Sequence, residues 1–289
     1  MKSESMAAAK KMNIELVLVS YNRLPYIKHV VQSLFANQSE DFTVVFWDNG
    51  STDGTKEYLA SQTDPRISKK VFSKNNVWVH GAANAVFEDS KAELVGILND
   101  DIILSPGWTK ILSRAHSDIP ELGFIGCWHL GREFFHYHRA KHKIQTFGEH
   151  KILRHPWTGG ASGLVKRNAW KEVGPFESKQ TTNLWLRMAK KGYVNGFYFP
   201  LIHVEHMDYV WSQYYMFKDD IGYGLSRSVT AAVQGVTSIE DAKAWHKKVV
   251  GNILDSPWDP THYLGLRNKL RRVREKFIQW KKKFGAGYD

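Results

Sequence analysis

Apolar residues fall along this chain in short blocks separated by stretches of helical spacing. Ile14–Ser20 (IELVLVS) is a mostly apolar, β-branched run that predicts a central strand. After Tyr21-Asn22-Arg23, Pro25 suits a helix start, and Ile27, Val30, Val31, Leu34 and Phe35 follow at helical spacing. Phe42–Trp47 predicts a second strand. It runs into Asp48-Asn49-Gly50-Ser51-Thr52-Asp53-Gly54-Thr55, a stretch of turn and N-cap residues, and then a helix carrying Tyr58 and Leu59. Ile67–Phe72 predicts a third strand and His80–Phe87 an Ala-rich helix. Val95–Leu104 reads as a buried strand interrupted by Asn99-Asp100-Asp101. This alternation predicts an α/β fold with a parallel sheet covered on both faces. Ligands in such sheets sit beyond the carboxyl ends of the strands. Asn22, Asp48 and the Asp100/Asp101 pair each follow a predicted strand, so three strands deliver polar groups to one edge.

Further along, Trp108–Ser113 predicts a helix and Phe124–Trp128 a strand. Gly131 to His155 holds His136, His138, His142, His150 and His155, and reads as a solvated, mobile loop of the kind that often acts as a lid rather than a metal site. Trp157–Arg167 reads as a small-residue strand. Its Gly and Ala either let backbone approach a ligand or mark a plain strand with a bulge. Ala169–Val173 is a short helix ended by Gly174-Pro175, and Phe197–Glu205 a last strand leading to His206. His203 and His206, at i and i+3 in extended chain, face opposite sides, so one of them at most is expected on a given ion.

The length of 289 residues suits one large domain with an appendage. A single cysteine, Cys127, excludes an intrachain disulfide and makes a cytoplasmic setting the default. Residues 1–12 have no apolar core and are expected to form a disordered tail rather than a signal peptide. The net charge of +11 is concentrated at the C-terminus, where residues 262–289 carry nine Lys/Arg against Glu275 and Asp289. There Leu266, Leu270, Val273, Phe277, Trp280 and Phe284 form one apolar stripe on a predicted basic helix. That helix either packs its stripe on the main domain or, through residues 264–284, contacts nucleic acid or an acidic membrane surface. The second case would make the protein membrane-peripheral or DNA-associated.

Val19-Ser20-Tyr21-Asn22-Arg23, Asp48 through Thr55, and Leu98-Asn99-Asp100-Asp101 together resemble family 2 glycosyltransferases with the GT-A fold. The blocks cover residues 14–105 in the family's order, with fainter echoes to residue 210. The resemblance implies a Rossmann-like, mostly parallel central sheet flanked by helices over residues 13–208; residues 209–289 leave the family pattern and read as a helical, basic C-terminal extension. It implies a nucleotide-sugar donor, a UDP-sugar, cradled by Val19, Ser20, Tyr21, Asn22, Arg23, Asp48, Asn99 and Asp100, and Asn76, which opens a loop after the third strand, is a further candidate. Asp48 matches the residue that contacts a uracil-type ring. The acidic pair matches the DXD motif, with Asn99 in its first place and Asp101 as ligand to Mn²⁺ or Mg²⁺; His206 is the expected additional metal ligand. Such an ion stabilises charge on a departing diphosphate.

One position departs from the family. Where inverting members carry an acidic pair before Leu184, this chain has Gln180 and Thr181, and neither is a carboxylate able to act as general base. The candidate catalytic residues are therefore Thr181, at that position, and the carboxylates Glu177, Glu205 and Asp208. Retention of configuration, with the leaving phosphate taking the proton, is a second possibility, and a silent donor-binding protein a third. The expected acceptor is a glycan or lipid; a hydroxymethylated base in DNA is the alternative, and a nucleotidyltransferase is the other enzyme class compatible with the pattern.

Overall fold

In a computed structural model, the described residues are 12–36, 42–156, 158, 162–177, 181–226, 235–263, 270 and 273. The chain opens with β1 (Ile14–Ser20), α1 (Leu24–Ala36), β2 (Thr43–Asp48), α2 (Thr55–Ser61), β3 (Ile67–Phe72), α3 (Trp78–Asp89) and β4 (Leu94–Asn99). A short β5 (Ile102–Ile103), α4 (Trp108–Asp118) and β6 (Leu122–Gly126) follow. After α5 (Tyr137–Ala140) come β7 (Ile144–Phe147), β8 (His150–Arg154), β9 (Ser162–Lys166), α6 (Arg167–Val173), α7 (Thr181–Lys190), β10 (Val194–Phe199) and β11 (Glu205–His206). Two helices follow, α8 (Asp220–Ser226) and α9 (Ile239–Asp255).

Nine strands form one mixed sheet in the order β3-β2-β1-β4-β9-β6-β10-β8-β7. The strands β3, β2, β1 and β4 run parallel, as their apolar runs predict, and β10 runs parallel to β6. Strand β9 is antiparallel to both β4 and β6, and β8 is antiparallel to β10. The alternation in β1 explains the double cover. Leu16 and Leu18 pack with Tyr26, Ile27, Val30 and Leu34 of α1 and Trp108 of α4 on one face. Val17 and Val19 pack with Ala82, Ala83 and Phe87 of α3 and with Trp170 and Trp185 on the other. The register then sets the site, because Ser20 pairs level with Asp48 and Val19 level with Asn99. Three strands therefore end at the same height.

Several expectations need correction. Val95–Leu104 is not one strand: β4 ends at Asn99, the chain turns through Asp100-Asp101, and β5 pairs antiparallel with β11. The expected last strand stops at Phe199, before Pro200. Residues 131–155 are no lid. They form two 3-10 turns, α5 and the antiparallel β7–β8 pair. His150 and His155 are buried there; His150 Nε2 donates to Asp118 Oδ2 (2.9 Å) and its Nδ1 lies 3.2 Å from the Tyr198 hydroxyl. The run of His and Lys hides a strand pair whose partners lie far off in sequence. Gly163 also serves the sheet and not a ligand: a Cβ there would sit 2.5 Å from the Phe124 ring and 2.7 Å from the Ile125 carbonyl oxygen.

Helix α9 is continuous with the core. Val250, Ile253 and Leu254 pack on Trp128, Leu130, Leu153 and Phe197, and Tyr209 joins them. Buried Lys143 donates to the Ile253 carbonyl near the helix end, and burial lowers its pKa to about 8. Residues 1–11 of the N-terminal tail and most of the basic stripe lie outside the described residues, while Met12 packs against the core. Of that stripe, Leu270 and Val273 are 60% and 64% exposed. Among the described residues no helix is long and apolar enough to cross a membrane.

Gly163→Ala should lower unfolding stability by about 2 kcal/mol through overpacking against backbone, measured by urea denaturation.

Candidate active site

Two loops at the carboxyl edge of the sheet are zipped together by short polar side chains. Asn22, in the left-handed region at φ 52°, donates its N–H to Ser51 Oγ (2.9 Å) and accepts from the Thr52 N–H on Oδ1 (2.8 Å). Asparagine tolerates that conformation better than most residues. Arg23 N–H donates to Thr55 Oγ1, and Asp53 Oδ2 accepts from Leu24 N–H at the start of α1. Asn22 thus braces the cradle, with both its backbone N–H and its side-chain oxygen engaged by protein. Asp53 and Thr55 share that task, which the dense turn chemistry of 48–55 signals only as a loop.

Asp48 closes β2 with 0% exposure. Its Oδ2 accepts the N–H groups of Gly50 and Ser51 at 3.0 Å each, while Oδ1 is buried without a partner. A buried, unpartnered carboxylate oxygen is costly unless a ligand donor meets it. Ser20 is turned to Asp100, its Oγ donating to Oδ2 at 2.9 Å beside the Tyr21 N–H at 3.1 Å. Tyr21 is exposed at the rim, Val19 is buried in β1 and Asn99 half-buried at the end of β4. Asn76 Oδ1 accepts from the N–H of Trp78, an exposed indole on a residue at φ 63°.

The acidic pair lies beside one imidazole and one guanidinium. Asp101, 8% exposed, lies with Oδ2 3.3 Å from His206 Nε2, and the β5–β11 ladder holds the two in register. Met207 N–H donates to the Asp101 carbonyl at 2.8 Å. Arg23 Nη2 donates to Asp208 Oδ2 at 3.0 Å. Burial works against every one of these charges. For Asp101, His206 and Arg23 outweigh burial and hold its carboxyl below the usual range. Burial and then the Asp101 charge push Asp100 up to about 7. Burial also raises Asp208, against the pull of Arg23. His206 is raised, because Asp101 and Asp208 overcome its desolvation. Arg23 stays firmly protonated, since Asp208 and Asp100 more than offset its burial.

Asp101 Oδ1, Asp208 Oδ1 and His206 Nδ1 are buried and unpartnered. A carboxylate oxygen and an imidazole nitrogen suit Mn²⁺, and Mg²⁺ needs few protein ligands. Among the described residues no three His, Cys, Asp or Glu side chains form a ready metal cage. Asp101 and His206 fit a site that a bound diphosphate and water would complete.

The other candidates are engaged elsewhere. Glu177 is exposed and paired with Arg187 of α7 (2.5 Å), and Glu205 accepts from Ser212 Oγ (2.5 Å). Thr181 opens α7; its side chain and Gln180 lie outside the described residues. His203 makes a bridge to Trp128 and does not contact Asp101 as His206 does. Sequence reasoning missed His129, whose ring lies 6.2 Å from His206, and His246 of α9, stacked on Tyr209 at 3.9 Å. His129 follows a predicted strand, so the rule that picked out Asp48 applies to it too. His246 has no such local signal.

Comparison with known proteins places this geometry in a family. An uncharacterized glycosyltransferase of Nostoc sp. is 29% identical over 97 residues, covering 33% of this chain and 30% of that one. The N-acetylglucosaminyl-diphospho-decaprenol L-rhamnosyltransferase of Mycobacterium tuberculosis is 26% identical over 235 residues, 67% of this chain and 75% of that protein. The chain therefore spans under a third of the first relative's length and three quarters of the second's. The structure of mannosyltransferase PcManGT from Pyrobaculum calidifontis in complex with GDP-Man and Mn²⁺ superposes with a TM-score of 0.55 at 16% identity, over 96% of this chain and 83% of that one. That likeness is one of fold, and it bears out the expected GT-A sheet with flanking helices. A model of Glycosyl transferase family 2 matches residues 15–177, more than half of the chain, and the protein belongs to that family.

Proposed function

We propose that the protein transfers a sugar from a nucleoside diphosphate donor, a UDP-sugar, to an acceptor hydroxyl. One observation carries the reading: Asp101 meets His206 at the same sheet edge where Asp48 keeps a buried, unpartnered oxygen. Asp48 Oδ1 suits a ring N–H of the nucleobase, and exposed Tyr21 offers it an aromatic face. Asp100, held by Ser20, faces the ribose or sugar hydroxyls. Asp101 and His206 would hold Mn²⁺ or Mg²⁺, which when bound neutralises the charge of the departing diphosphate. His206 must give up any proton to serve as a ligand, so cation binding releases protons.

The bond that breaks joins the anomeric carbon to the diphosphate oxygen, and the bond that forms joins that carbon to the acceptor oxygen. The acceptor's proton goes to Asp208. Of the three carboxylate candidates, Asp208 is the one electrostatically linked to Asp101 and Arg23, and its Oδ1 has no partner. Burial raises its proton affinity, which favours a general base. Arg23 holds its other oxygen.

Three outcomes test this reading. UDP or GDP with Mn²⁺ should raise the thermal midpoint of the wild type, and Asp48→Ala should weaken UDP more than GDP. Asp101→Asn should remove the Mn²⁺-dependent part of the rise; an unchanged Mn²⁺ response would sink the metal assignment. Asp208→Asn should lower kcat by about 10²- to 10⁴-fold in an assay of nucleoside diphosphate release, with donor binding kept. Asp100 predicts the pH dependence. Its folded pKa of about 7 lies above the ordinary 3.8, so its contribution to stability is full below 3.8 and is lost as pH rises through about 7. The metal-free thermal midpoint of the wild type should fall across that window relative to Asp100→Asn.

A further inference from the structure

A cleft of about 360 Å³ opens behind His206, between the β5 turn, the segment after β6 and the segment after β11. Its wall includes Tyr209, only 6% exposed, whose hydroxyl is buried with no partner. His203 Nδ1 is likewise unpartnered. Trp211 supplies an aromatic wall, its ring 5.5 Å from Tyr209 and 4.9 Å from Phe134. Arg132 and Glu133 stand exposed at the mouth. Arg132 is close enough to depress the His203 pKa, and Glu133 to raise that of Tyr209, after burial in each case. His206 is the shared wall between this cleft and Asp101.

We infer that this cleft is the acceptor subsite, and that it takes an uncharged pyranose ring. The inference rests on the transferase reading above. The chemistry fits a polyhydroxylated ring. The apolar C–H face of a sugar packs on an indole, while its hydroxyls meet a buried phenol, an imidazole, a guanidinium and a carboxylate. The volume is of the size of small-ligand sites. The charge argues against DNA. Among the described residues Arg132 is the only Lys or Arg lining the cleft, against Glu133 and Glu205, whereas a duplex needs clustered cations for its phosphates. His206, which lines the cleft, also lies 3.3 Å from Asp101 Oδ2.

Binding of methyl β-D-glucopyranoside, methyl α-D-mannopyranoside and methyl N-acetyl-β-D-glucosaminide to the full chain, followed by saturation-transfer NMR, tests the inference. At least one should bind saturably, and Trp211→Ala and Tyr209→Phe should each weaken it by about tenfold. Arg132→Ala, at an exposed position, should weaken it too and guards against a folding defect in the other two. The Mn²⁺–UDP thermal shift should persist in all three variants. The inference is overturned if no pyranoside binds, if the three variants bind as the wild type does, or if a hydroxymethylcytosine duplex binds and the same variants abolish it. Loss of the Mn²⁺–UDP shift in the wild type, with pyranoside binding intact, would overturn the donor reading and leave the cleft standing.

Discussion

Four carboxylates are gathered at one sheet edge against one guanidinium and one imidazole. Asp48, Asp100, Asp101 and Asp208 exceed what Arg23 and His206 can balance, and the excess negative charge is the constraint under which the site is built. In a low-dielectric setting such an excess is tolerated only if a proton or a cation joins it. The raised proton affinity of Asp100 is one answer. A cation bound at Asp101 would be another. The scaffold resists the repulsion by geometry. Backbone amides hold Asp48, Ser20 and Tyr21 hold Asp100, and the β5–β11 ladder fixes Asp101 against His206.

Much of this was legible in the sequence because the physics is local. The strands β1 to β4 are apolar runs followed at once by polar residues, and parallel pairing brings their ends level. Any reading that finds the strands finds Asp48, Asp100 and Asp101 at one edge. What could not be read depends on distant partners. His150 is buried because Asp118 and Tyr198 await it, and nothing near His150 announces them. Glu177 looks available in sequence, yet its carboxylate pairs with Arg187. Gly163 resembled a glycine kept small for a ligand, whereas the Phe124 ring fills the space it leaves.

Asn22 teaches a related lesson. A polar residue just past a strand suggests a ligand contact, and here its backbone N–H and side-chain oxygen join two loops. The same loops hold Asp53 and Thr55, which stabilise the start of α1 as much as the cradle. Position at the edge is therefore a weaker guide than an unpartnered atom, and Asp48 Oδ1 and Tyr209 Oη carry more information than several better-exposed groups.

The strand order has a consequence for how the chain is made. Strand β10 lies between β6 and β8, yet it is synthesised after both. Until residue 199 has left the ribosome, the nascent sheet carries an open seam with unpaired edges on β6 and β8. Such edges invite pairing with other chains. The region matched by the family model ends at residue 177, short of that strand. A fragment trimmed to the recognisable region would hold most of the donor cradle and keep the seam open permanently.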